Sequence, residues 1–283
     1  MLRFPVTCGL LVALAATPAV GATARIVYVG PEEGSVRRGA ELGLEEVALQ
    51  GSFTGHAFEL RPASVEELLR GEPAEPPAAV VAAVDAPTLE RLAKHLEPAG
   101  VAVLNATAED DALRRRCRAN LLHVIPSERM RASAEDQWRQ GHPGTVAVAN
   151  AWHPDFVKYA ARDLNKRFRR SQGVAMDDGA WAGWAAVRIV GEAVVRTGEA
   201  APGRILDYLR RELEFDGQKG IAHTFHDSGQ LRQPLLLVSA DSELLGEAPV
   251  RGVAGVEDLD SLGMESCPPP EKREPPETSG GPR

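Results

Sequence analysis

Two histidines three residues apart, in HTFH (His223 to His226), are the pair whose type invites metal chemistry. On a strand, residues three apart face opposite sides, so one ion cannot readily take both. The expectation is no metal. His153 stands before Pro154 and reads as a helix-entry residue rather than a catalyst. Asp110 and Asp111 read as a solvated helix start, where carboxylates offset the positive end of the helix dipole. Ser127 opens a helix at a strand end, so it is either an N-cap or a ligand hydroxyl. Trp181 and Trp184 read as core, with a cleft-facing role for one of them as the alternative. No Ser-His-Asp or Cys-His set emerges from the spacing. A protein without catalytic residues or cofactor is therefore expected.

The stretch VYVGPEEGSVRRGAELGLEEV, Val27 to Val47, is the junction with most to offer a ligand. A hydrophobic run stops at Gly30, a polar loop follows, and an apolar stripe then appears at helical spacing: Val36, Ala40, Leu44 and Val47. The loop is neither GxxxxGK[ST] nor GxGxxG, so phosphate and dinucleotide cradles are not indicated. Glu32 and Glu33 make it acidic. Gly39 and Gly43 add little bulk, which would let this helix approach the sheet closely.

The elements that must position such a loop alternate along the chain. After the strand Ile26 to Gly30 and its helix comes a second strand, His56 to Leu60. Ser64 and Glu67 form a capping box for a short helix, and GEPAEPPA is a surface connection. Ala79 to Val84 is a continuous apolar run, as a strand buried on both faces requires. A helix from Thr88 to Glu97 stops at Pro98 and Gly100, then Val101 to Asn105 is the next strand. A short helix around Asp110 to Arg116 leads to the strand Asn120 to Ile125. This β-α order predicts a doubly wound parallel sheet of about five strands. Ligands of such sheets sit at the C-terminal strand ends. Those ends are Gly30–Ser35, Asp85–Thr88, Asn105–Thr107 and Pro126–Ser127. Asn105 and Thr107 also form a glycosylation sequon, but their strand-end place favours cleft lining.

Beyond Ser127 the pattern predicts a helix from Glu128 to Gln140, the breaker GHPG and a strand from Thr145 to Asn150. A helix follows, with Pro154 at its first position and Phe156, Ala160, Leu164 and Phe168 as its core stripe. Further helices are expected over Asp178 to Arg196 and Gly203 to Leu213, then the turn FDGQKG and the strands IAHTF and LLLVSA. From Pro268 the composition is that of a disordered tail.

Bulk properties exclude some classes. With 283 residues there is chain enough for two modest domains or one large one. A net charge of −8 argues against nucleic acid, which needs a basic footprint. The start, MLRFPVTCGLLVALAATPAVGATA, has one basic residue, an apolar core and small residues before Arg25. That is the pattern of a secretory signal with cleavage after Ala22 or Ala24. Its apolar core is short for a membrane span, and no later stretch is apolar enough to be one. An exported, soluble periplasmic protein is expected. Cleavage would leave Cys117 and Cys267, a candidate disulfide in an oxidising compartment, with two unpaired thiols as the alternative.

The motifs, taken in order, resemble a known family. A secreted α/β chain beginning strand-GPxxGxxxxGAxLGxEE resembles the type 1 periplasmic solute-binding proteins of the branched-chain amino-acid-binding group. NATAEDDALRRRCRANLLHVIPSERMRA, AWHPDFVKYAARDLNKRFRR, DGAWAGWAAVRIVGEAVVRTG, FDGQKG and GQLRQPLLLVSA are similar to one subgroup. Its members are ABC transporter substrate-binding proteins associated with pyrroloquinoline-quinone-dependent alcohol catabolism. The resemblance implies two α/β lobes closing on a small solute. Together with the signal and tail read from composition, the expected division is a signal peptide over 1–24, a first lobe over 25–126, a reduced second lobe with crossovers over 127–247, and an extension and tail over 248–283. Between Ser127 and Trp152 there is room for one helix and one strand, which is why the second lobe is expected to be short. The implied ligand contacts are Pro31, Glu32, Gly34, Ser35, Asp85, Thr88, Asn105, Thr107, Ser127 and Trp152. The serine-rich loop of amino-acid binders is missing. The implied partners are a small solute and an ABC permease or, alternatively, a quinoprotein dehydrogenase or cytochrome.

Overall fold

The computed structural model describes residues 23–70, 75–256 and 258–268. The expected signal core, the GEPA part of the surface connection and the tail beyond Pro268 lie outside the described residues.

The part of the chain expected to form a first lobe, so called below, opens with β1 (Thr23–Val29), α1 (Ser35–Thr54), β2 (Ala57–Pro62) and the short α2 (Val65–Leu68). Then follow β3 (Ala79–Ala82), α3 (Ala86–Leu96), β4 (Ala102–Asn105), α4 (Asp111–Arg115) and β5 (Leu121–His123). The five strands form one sheet in the order β2-β1-β3-β4-β5, and every pairing in it is parallel. Side chains alternate across it with period two. Ile26, Tyr28, Val81 and Leu104 face one helical layer, while Val27, Val29, Val80 and Val103 face α3 through Leu89, Leu92 and Leu96. Because both faces are covered, the central strands read as unbroken apolar runs. Ser64 accepts from the Glu67 amide, as the capping reading required.

The chain leaves this sheet through α5 (Glu128–Gly141) and β6 (Val148–Asn150). It then runs as α6 (Ala161–Gln172), α7 (Asp178–Thr197), α8 (Pro202–Arg211), β7 (Phe215–Asp216), β8 (Ala222–His223), β9 (Leu235–Val238) and β10 (Leu244–Ala248). β10, β9 and β6 make a three-stranded antiparallel sheet, and β7 pairs with β8. The small sheet packs one face on α5, with Met130, Ala134, Trp138, Ala149, Leu237 and Ala248 in its core. The outer edge of β6 is closed by α5 side chains: Glu135 accepts from the Ala149 amide and Arg131 donates to the Ala149 carbonyl. Edge strands left open invite pairing with other chains, and this one is covered.

The range 127–247 therefore holds two kinds of segment. α5, β6, β9 and β10 build the small sheet, whereas α7 and α8 pack back on the first lobe. The α1–α7 contact is unusually close. A Cβ at Gly39 would stand 1.8 Å from the Ala180 carbonyl oxygen, and one at Gly183 would stand 2.1 Å from that of Val36. The small residues of α1 thus admit α7 rather than the sheet, which corrects the expected use of Gly39 and Gly43.

A second correction concerns Pro154. The helix expected to start there starts at Ala161. The Asn165 side chain, on α6, donates to the carbonyls of Pro154 and Phe156 and accepts from the Trp152 indole. These bonds hold 152–156 as an irregular loop. Phe156, Leu164 and Phe168 are buried as expected, but Ala160 is exposed. β10 was not anticipated at all.

Cys117, in the turn after α4, is bonded to Cys267. The segment leading to Cys267 packs along α5, with Leu262 fully buried and the Gln137 amide donating to the Ser261 carbonyl. Glu265 pairs with Arg115 on α4 and Arg129 on α5. No helix among the described residues is long and apolar enough to cross a membrane.

Candidate functional site

The strand ends of the large sheet open into a cleft of about 560 Å³. One wall comes from the first lobe: Tyr28, the loop Pro31 to Ser35 apart from Glu32, Val36, Ala83 and Thr107. The other comes from Asn150 at the end of β6, the loop Trp152 to Pro154, and Asp177 to Gly179 at the start of α7. Two helix N-termini, those of α1 and α7, therefore meet across it.

Asp177 joins them. Its Oδ1 accepts from the Ala180 amide as the N-cap of α7, and its Oδ2 accepts from Ser35 Oγ at 2.6 Å. α1 has no side-chain cap of its own. Asp178 is equally committed: it accepts from the amides of Ala151 and Trp152 and from Arg131. Arg131 in turn pairs with Glu109, so one guanidinium ties α5 to α7 and to the first lobe.

The floor is aromatic. Trp152 is 1% exposed and stacks on Trp181 with ring centroids 6.2 Å apart. Behind Trp181 lies Lys219, 3.8 Å above its ring and donating to Gln233 Oε1 and the Pro234 carbonyl. Burial pushes the Lys219 ammonium well below the usual lysine range. Its two hydrogen bonds and the Trp181 π-face are the contacts that offset this burial. Lys219 also reaches the wall of a larger groove of about 1030 Å³ beside β10, with Tyr159, Ile221 and Trp138.

Of the residues expected at a site, Pro31, Gly34, Ser35, Thr107 and Trp152 come together in this cleft. The others do not. Glu32 is exposed, and its neighbour Glu33 lines the wall instead. Asp85 is the N-cap of α3; the Thr88 hydroxyl and amide hold its carboxyl below the ordinary value, and both residues serve the helix. Asn105 is fully buried and is used up by the fold. Its oxygen accepts from the Thr107 and Ala108 amides, while its nitrogen donates to the Ala108 carbonyl and to His123 Nδ1. Ser127 is buried and caps α5 through the Met130 amide, which settles its two readings toward the cap.

Asn150, His153, Asp177 and Asp178 were not singled out as ligand contacts. His153 was assigned to a helix start; it lines the cleft, with Nδ1 accepting from the Asp155 amide. These residues are distant in sequence from the first-lobe loops, and only the crossing topology brings them opposite. The one local signal was a strand ending before WHP. Of the HTFH pair, His223 is fully buried and His226 half-buried. No cluster of metal-ligating side chains occurs among the described residues.

No protein-family model and no curated protein matches the chain. Solved structures do. A branched-chain amino-acid ABC transporter periplasmic ligand-binding protein from Burkholderia xenovorans LB400 is similar at TM-score 0.66 and 10% identity, over 85% of this chain and 96% of that one. The branched-chain amino-acid transporter substrate-binding protein LivJ from Streptococcus pneumoniae, in complex with isoleucine, is similar at TM-score 0.64 and 11% identity, over 80% and 99%. A solute-binding protein of an ABC transporter from R. palustris, in complex with benzoate, is similar at TM-score 0.63 and 9% identity, over 79% and 95%. With its parallel five-stranded sheet wound on both faces, the chain has the α/β fold of the type 1 periplasmic binding proteins.

Proposed function

We propose that the protein is an exported, periplasmic solute-binding component of an ABC transport system linked to pyrroloquinoline-quinone-dependent alcohol oxidation. The observation that carries the solute-binding part is the cleft itself. It is walled from both sides, by the strand-end loops of the large sheet and by Asn150, Trp152 and the start of α7. A concave, mainly apolar site with a few polar groups is the form that small-molecule capture takes. The neighbours in fold include proteins in complex with isoleucine and with benzoate. The link to alcohol oxidation rests on the ordered motifs that resemble that subgroup, and the permease is the partner it implies. A thermal-shift screen with alcohols, aldehydes, short acids, amino acids and quinone cofactors tests the proposal. A flat response across the whole panel would sink it.

A second reading has its own observation. The small sheet carries α5 on one face, and Val146, Val148, Tyr159 and Ile221 are among the exposed large hydrophobic residues nearby in the chain or on the groove. An accessory protein that docks a periplasmic quinoprotein dehydrogenase or cytochrome would present such a surface. Co-purification with the dehydrogenase that survives moderate salt supports this reading; its absence, with solute binding, removes it.

A further inference from the structure

We infer that the cleft selects an uncharged solute, an apolar body carrying one hydroxyl, carbonyl or amide head, and turns away carboxylates and amino acids. This rests on the solute-binding reading above. The place where an anionic head would best sit is between the converging N-termini of α1 and α7, where helix dipoles and free amides favour negative charge. That place already holds a carboxylate. Asp177 caps α7 and reaches Ser35 in the first turn of α1. Glu33 on the rim adds to the negative character, while the carboxylate of Asp178 is offset by its pairing with Arg131. Among the described residues, no lysine or arginine lines the cleft. Two guanidinium groups stand behind the lining: that of Arg131 is already paired with Asp178 and Glu109, and that of Arg38 lies behind Ser35 with Nη2 3.4 Å from its Oγ. A second carboxylate brought in by a solute would face these groups at short range without a cation to receive it.

Apart from the exposed Glu33 carboxylate on the rim, the polar side chains that remain available are different in kind. Asn150 and His153 are lining residues, and among the described residues the Asn150 side-chain amide and His153 Nε2 have no hydrogen-bond partner, whereas Ser35, Thr107 and Tyr28 are each already bonded. His153 is 7% exposed. Since its Nδ1 accepts from the Asp155 amide, the neutral ring carries its proton on Nε2 and offers a donor. Asn150 offers both a donor and an acceptor. Together they suit a neutral head group that gives and takes hydrogen bonds. The rest of the lining, Trp152, Pro31, Val36, Ala83 and Pro154, suits an apolar body.

The experiment is a charge series on one frame, followed by isothermal titration: benzyl alcohol, benzaldehyde and benzamide against benzoate and benzylamine, with L-leucine alongside. The expected result is binding of the neutral members, with benzoate and leucine weaker by about tenfold or more. In Asp177→Asn, which keeps a capping oxygen, the gap between benzyl alcohol and benzoate narrows. His153→Ala and Asn150→Ala weaken benzyl alcohol binding while far-ultraviolet circular dichroism stays unchanged. Tighter binding of benzoate, leucine or benzylamine overturns the class while leaving solute capture standing. A series in which no member binds overturns the class as well, and the wider thermal-shift panel then decides the solute-binding reading separately.

Discussion

Ser35 Oγ donates to Asp177 Oδ2 at 2.6 Å, joining the first turns of two helices that lie 142 residues apart in sequence. The same carboxylate is the N-cap of α7. Losing a cap costs about 1 kcal/mol, and losing a further hydrogen bond about as much again. Asp177→Ala is therefore predicted to lower stability by about 1–2 kcal/mol, read as a shift of the urea midpoint. Asp177→Asn, which caps nearly as well, is predicted to lose less. Equal losses in the two variants would show that capping is not what Asp177 contributes.

The helix pair itself gives the next prediction. In an exposed helix interior, glycine to alanine gains up to about 1 kcal/mol. At Gly39 the added methyl would meet the Ala180 carbonyl oxygen at 1.8 Å, so α1 and α7 would have to separate. Gly39→Ala is predicted to destabilise by about 1–3 kcal/mol, the ordinary range for overpacking. Gly203, in α8, has open space around its missing Cβ. Gly203→Ala is the control and should leave the midpoint unchanged or raised.

What was legible in the sequence follows from how local each cause is. The central strands announced themselves because burial on two faces makes them apolar throughout, as Ala79–Ala82 shows. α3 was legible because its stop is close by in sequence, although its N-cap, Asp85, was read as a ligand contact and its start placed at Thr88 instead of Ala86. The loop 152–160 was misread because the side chain that prevents a helix there, Asn165, acts from α6 onto Pro154 and Phe156. Asn105 looked available at a strand end, yet it is consumed by the turn that follows it. Half of the cleft was foreseeable, since strand ends are where such sheets bind. The other half, Asn150, His153 and Asp177, depends on how a crossing chain returns, and no local pattern encodes that.

Two buried histidines make stability depend on pH. Burial lowers the pKa of His223 to about 3, and the nearby Lys219 adds to the effect. Burial likewise holds His123 well below its ordinary value, with Arg114 and Arg210 assisting. Both are neutral when folded and take up a proton when unfolded below about pH 6.5. The unfolded state then binds more protons, so stability falls as pH falls from about 6.5 toward 3. For His223 alone the loss is about 2 kcal/mol by pH 5. Urea midpoints at pH 7.5 and pH 5 measure it. His223→Asn should reduce the slope by about one proton's worth; an identical slope would place the titration elsewhere.

The proposed export carries a prediction about where a cleaved chain would start, and β1 sharpens it. Ala24 is fully buried and pairs with Phe58, and Thr23 pairs with Ala57. Cleavage after Ala22 would keep the strand whole, whereas cleavage after Ala24 would remove both residues from it. If the chain is exported and cleaved as proposed, it should begin at Thr23. Intact mass of the secreted protein checks this, and a chain beginning at Arg25 would contradict it.

The Cys117–Cys267 bond carries the last prediction. It closes a loop of 150 residues, and it fastens a segment that otherwise holds to α5 through Leu262, the Gln137–Ser261 hydrogen bond and the Glu265 ion pairs. On the chain-entropy model, closing a loop of that length stabilises by about 4–5 kcal/mol. The surface ion pairs contribute little beside it. Reduction with dithiothreitol is therefore predicted to lower the urea midpoint strongly. Cys117→Ser with Cys267→Ser should show the lowered midpoint without reductant and no further response to it. Thiol titration of the unfolded, unreduced mature chain should find no free thiol. Two free thiols, or a midpoint indifferent to dithiothreitol, would mean that the C-terminal segment is held by its packing on α5 alone.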